Sequence, residues 1–295
     1  MRVDDVVDTM LKWQLLLLGV SAILVLALLF AGGLLKPGGF KEAGLRDVST
    51  MPAIIWIFAG FVVYLAMNSA PYLIGQIQWV QDQQYNETQM QAINAAGIYI
   101  FGIIAGFGML FVLSRGAPDS GLKLGFVDMP LGLGCFVLAF PFIQLMSIFG
   151  VFAYKQTQQG SMPDPIAHPV LQQLVDNPND PWIWAIVAAA VIGAPIVEEL
   201  MYRVFLQGAL LGWLKTPWLS IILTAIAFAM VHKLGSHTVP WHALLPIFTL
   251  GLCCGVAYER TKRVGVPITM HICFNALSVV IALTTQPGSP ATPAG

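Results

Sequence analysis

The sequence predicts an all-α, polytopic integral membrane protein of about eight transmembrane helices, and three observations lead there. Hydrophobic residues fill 57% of the 295 positions and charged residues 10%; a soluble domain holds about 45–50% and about 25%. Mean hydropathy is +0.76. Apolar windows of the ~20 residues needed to cross a ~30 Å hydrocarbon core recur along the chain. The polar stretches between them are short and rich in turn-forming residues.

The first window, 13–35, is preceded by Asp4, Asp5 and Asp8. It lacks a basic n-region and is too long for a signal-peptide core, so it reads as a retained first span. Windows 52–74, 93–114 and 129–154 follow without an internal charge, and residues 1–154 form an N-terminal four-helix membrane region. A glutamine-rich loop from Gln76 to Gln91 carries no Lys or Arg. Residues 155–181 are the longest polar connection. Within them His168-Pro169 opens the run to Val175, which predicts a short amphipathic helix at the membrane surface with His168 as a helix-entry or surface residue, or else a substrate-side one. Windows 182–212, 217–233, 242–258 and 266–284 make up a second membrane region, 182–284, and the Pro-, Gly- and Thr-rich residues 285–295 read as a disordered tail.

A net charge of −1, with no basic run larger than Arg260, Lys262 and Arg263, excludes a nucleic-acid surface. Cys135, Cys253, Cys254 and Cys273 all fall in apolar windows without CxxC spacing, which argues against a disulfide framework or a thiolate metal site. Gly251 and Gly255 have the small-xxx-small spacing that lets two helices approach. With eight spans, the odd-numbered loops hold nine basic residues (Lys36, Lys41, Arg46, Arg115, Lys123, Lys215, Arg260, Lys262, Arg263), against four (Arg2, Lys12, Lys155, Lys233) in the tails and even loops. This bias predicts a cytoplasmic odd-loop face with both termini outside.

Only the second region holds polar groups inside its spans. Glu198, Glu199 and Arg203 interrupt one window, where each charge costs roughly 2.5–3.5 kcal/mol on insertion scales. Glu199 and Arg203 are four apart, about 40° around a helix, and so form a pair. Glu198 points about 100° away and is left without a local counter-ion. Phe228 with His232, and His271 with Asn275, are further i, i+4 pairs on later windows. Together these groups are what a site needs to generate a nucleophilic water and hold an oxyanion away from bulk solvent. His237 and His242 follow at five-residue intervals, off the face of His232, and read as loop residues.

Glu198-Glu199-Leu-Met-Tyr-Arg203 fits E-E-x-x-x-R, Phe228 to His232 fits F-x-x-x-H, and His271 to Asn275 fits H-x-x-x-N. In these motifs, over residues 182–284, the chain resembles the CPBP family of CAAX prenyl proteases and bacteriocin-processing enzymes, which are polytopic intramembrane proteases. The resemblance implies an endopeptidase that hydrolyses a peptide bond in a prenylated protein or a peptide precursor. It assigns Glu198 and His232 to water activation and His271 with Asn275 to the oxyanion. Glu199 and Arg203 complete the site, and a bacterial inner membrane is the expected location. If a divalent metal takes part, His232, His271 and Glu198 are a plausible zinc set, although the H-E-x-x-H arrangement is absent. A non-catalytic immunity protein that keeps the cluster for binding is the first rival. A transporter is the second, disfavoured by the lack of a repeated half.

One difficulty follows from counting. His232 ends one window and His271 begins another running the same way, so full crossings separate them by ~15 Å in depth. They meet only where a segment is short, broken or sunk into the membrane.

Overall fold

The computed structural model describes residues 3–36, 38–42, 46–158, 163, 166, 168–234 and 239–284, with side chains from Lys12 onward except at 41 and 42. Its long helices are α1 (Val3–Ala31), α2 (Ala53–Gly75), α3 (Glu87–Gly116) and α4 (Asp128–Thr157). The short α5 (Pro169–Asp176) precedes α6 (Pro181–Leu214), α7 (Pro217–Val231), α8 (Leu244–Thr261) and α9 (Gly265–Thr284). Among the described residues seven helical stretches are long and apolar enough to cross a membrane. Residues 285–295 and His237 lie outside the described residues, and with them the expected tail.

The sixth expected span is not a full one. α7 has 15 residues, ~22 Å at 1.5 Å per residue, short of the ~30 Å core. Its C-terminal cap is His232. A helix of that length ends short of a full crossing, and α8 follows a 3₁₀ turn at Trp241–Ala243.

α6 is the centre of the bundle, packed against α2, α3 and α9. Val197, Leu200 and Val204 on it are fully buried with Trp56 and Val63 of α2. Glycines on α3 permit the close approach: a Cβ on Gly106 would lie 2.7 Å from a Leu200 methyl carbon, and one on Gly102 would lie 3.0 Å from a Val197 methyl carbon. The Gly251/Gly255 pair does what its spacing predicts, with Ala225 and Phe228 against Gly251 and Ile221 against Gly255. Most apolar side chains of α1 face outward, and the helix packs on α4.

The odd-numbered loops meet at one end. Buried Arg46 donates from Nε and Nη2 to Glu259 Oε1 at 3.0 and 2.6 Å and from Nη1 to Ser120 O, while Gln207 Nε2 reaches the same Glu259 oxygen at 2.9 Å. Burial disfavours the charge on Arg46, but Glu259 and Tyr258, over whose ring the guanidinium lies, outweigh that and raise its pKa. Arg260 donates to the carbonyls of Leu34 and Gly39, and Arg263 pairs with Asp128. At the opposite end α5 lies against α6 and α9 with Leu174 buried among Ala92, Ile183, Ile186 and Val187. His168 caps it as expected, Nδ1 accepting from Val170 N–H at 3.2 Å. His242 differs from the expected loop residue: it is buried in the 3₁₀ turn, edge-on to Tyr154 at 4.8 Å.

Candidate active site

The site grows from an irregular stretch of α6. Ala189–Gly193 and Leu200–Leu206 are π-helical, flanking the α-turn that holds Pro195, Glu198 and Glu199. Widened turns of this kind recur at functional sites, because they turn side chains and carbonyls out of the regular ladder. Ala194 N–H bonds to Ala189 O in the five-residue register. The next donor in that register would be Pro195, which has no N–H. Ala190 O is consequently free to accept from Asn275 Nδ2, at 2.9 Å.

Glu199 is fully buried and both its oxygens are engaged. Oε2 accepts from Arg203 Nε at 2.8 Å and Oε1 accepts from His271 Nδ1 at 3.0 Å. With Nδ1 as the donor, His271 turns Nε2 toward Glu198, 3.8 Å from Oε2. Glu198 keeps a 25% exposed side chain facing a cavity of about 430 Å³. His232 lines the same cavity; its Nδ1 donates to Phe228 O at 2.8 Å, so Nε2 of the neutral ring carries the lone pair.

Phe228 is what holds these groups in relation. Its ring meets His232 edge-on at 5.1 Å, His271 at 5.4 Å and Tyr202 at 5.3 Å, and the Arg203 guanidinium lies over it at 5.1 Å. The two histidines therefore flank one aromatic ring, which resolves the depth mismatch. Among the described residues no three His, Cys, Asp or Glu side chains are placed to hold a metal ion.

All six residues singled out in the sequence thus lie in or directly behind one cavity. Two other contributors were not legible: Tyr99 comes from α3, where nothing in an apolar run marks it, and Leu171 from α5. His168, for which the sequence also allowed a substrate-side place, lines the cavity as well.

The Rce1-like family, type II CAAX prenyl endopeptidase, matches residues 180–277. A relative from Bacillus subtilis (strain 168), named "Putative membrane peptidase YdiL", is 25% identical over 209 residues, covering 66% of this chain and 76% of its own. No solved structure matches. The part of the chain that carries the three motifs is thus similar to the Rce1-like, CAAX-protease type of the CPBP family.

Proposed function

We propose that the protein is an intramembrane endopeptidase of an inner membrane in which Glu198 activates water against a peptide bond of a peptide or protein substrate held in the bilayer. The observation that carries this reading is the division of labour between adjacent carboxylates. Glu199 is buried and occupied by Arg203 and His271, while Glu198 faces the cavity beside two imidazoles. A base must reach the proton it takes, and Glu198 is the carboxylate that does.

In the proposed step a water gives a proton to Glu198 and its oxygen attacks the carbonyl carbon. His271, oriented by Glu199 and carrying a proton on Nε2 in the charged form, donates to the oxyanion, the larger electrostatic contribution in such reactions. Collapse breaks the C–N bond, and the proton held by Glu198 passes to the leaving amine, directly or through His232. Asn275 keeps one N–H for the substrate after the bond to Ala190 O.

The test is cleavage of a quenched fluorescent peptide by detergent-purified protein, with Glu198→Gln beside it. Cleavage by the parent and loss of at least about 10²-fold in the variant is the expected result. Equal rates, or none in the parent with any peptide or prenylated tail offered, would favour a binding role for the cluster.

A further inference from the structure

A second cavity of about 580 Å³ adjoins the first, between α3, α5 and the start of α6. Tyr99, Val170 and Ala190 line both, so the two adjoin at Tyr99. Its α3 wall presents Glu87, Gln91, Asn94 and Ile98, spaced four, three and four apart and hence on one helical face. Polarity falls inward along that face, from a carboxylate through two amides to Ile98 and Tyr99.

Polar groups on such a wall are placed to pair with the main chain of a segment that enters the cavity. Gln91 has a distant partner: its amide exchanges two contacts with Gln173 of α5, both at 3.5 Å. Asn94 has no side-chain hydrogen bond, and Glu87 no cation, among the described residues. An isoprenoid chain offers nothing to these groups, whereas an extended main chain offers an N–H and a C=O at every residue. Glu87 to Tyr99 spans ~18 Å of helix at 1.5 Å per residue, room for about five residues at ~3.4 Å each.

Building on the endopeptidase reading, we propose that this second cavity is the groove for an extended polypeptide segment of the substrate. Gln91 and Asn94 pair with its main chain, and Glu87 selects a lysine or arginine about five residues from the bond that is cut. The polar wall makes the recognised class a peptide with a basic side chain rather than a lipid tail.

Binding is read on the full-length Glu198→Gln protein in nanodiscs, which holds substrate without cutting. The probes are two dye-labelled twelve-residue peptides of leucine and alanine, identical except for lysine or glutamate at the fifth residue. The lysine peptide binds at least about tenfold tighter, Glu87→Lys reverses that order, and Glu87→Gln abolishes the preference. Asn94→Leu weakens both peptides by a similar factor. The proposal is overturned if Glu87→Lys leaves the order unchanged, if neither peptide binds saturably, or if farnesyl-cysteine methyl ester displaces the lysine peptide while Asn94→Leu has no effect. Glu87 is exposed on the first turn of α3, so its variants keep the fold. Cleavage failure in the parent would undo the protease reading alone, and the order of the two peptides would undo the groove alone.

Discussion

His271 Nδ1 lies 3.0 Å from Glu199 Oε1, and that bond leaves Nε2 as the imidazole nitrogen turned toward Glu198. In the proposed mechanism Glu199 orients His271 rather than acting as the base, and its loss should act through His271. Glu199→Gln is expected to lower kcat by about 10²-fold or more with KM little changed. An unaltered kcat would place His271 outside the reaction.

His232→Ala is expected to lower turnover by about 10²–10⁴-fold, as for any positioned acid or base, with the protein still monodisperse. Activity within a few-fold of the parent sinks its role. Chelator treatment should leave the rate unchanged, and zinc-dependent recovery of a chelated enzyme would make His232 and His271 ligands after all.

Arg203→Ala strands Glu199 in a fully buried site, a change that typically costs 3–5 kcal/mol. Folded yield in detergent should fall well below that of Glu198→Gln, whose carboxylate borders the cavity. Equal yields would show that Arg203 is not the counter-ion that holds Glu199.

Asn275 has both a chemical and a structural part. The family resemblance implied an oxyanion donor, whose removal lowers the rate of the chemical step. Its bond to Ala190 O, a carbonyl that Pro195 cannot satisfy, adds a cost of about 1–3 kcal/mol to Asn275→Ala through the unpaired group. Asn275→Asp should be worse on both counts, since an ionised carboxylate cannot donate and repels the developing charge. Thermal unfolding together with single-turnover rates separates the two. A rate loss without any stability loss would contradict the bond to Ala190.

Orientation follows from the loops that Arg46, Arg260 and Arg263 tie together at one end. Lysine and arginine bias puts that end in the cytoplasm and the mouth of the cavity, under α5, on the other side. A cysteine at Thr261 in a background lacking the four native cysteines should resist a membrane-impermeant thiol reagent added from outside. Labelling from outside reverses the topology. The same end supplies a stability test: Glu259→Gln leaves buried Arg46 unpaired, and the double variant Arg46→Met/Glu259→Leu is expected to unfold at a higher temperature than that single one.

The sequence by itself determined the features that depend on local geometry. Apolar length set seven of the eight expected spans, and loop parity gathered the basic residues at one end. A four-residue separation paired Glu199 with Arg203, and the three motifs carried the family resemblance. Distances along one helix are fixed by the 3.6-residue period, so nothing further was needed. Tertiary structure decided the rest. The Glu199–His271 and Ala190–Asn275 contacts join residues 72 and 85 positions apart, across helices whose relative depth no periodicity reports. The short α7 ends at His232, beside Phe228, and the π turns of α6 changed which carbonyls and carboxylates face the cavity. Tyr99 and the polar face of α3 became part of the site because glycines let α3 close on α6. Such a contact is a property of two packed surfaces, and neither surface contains it alone.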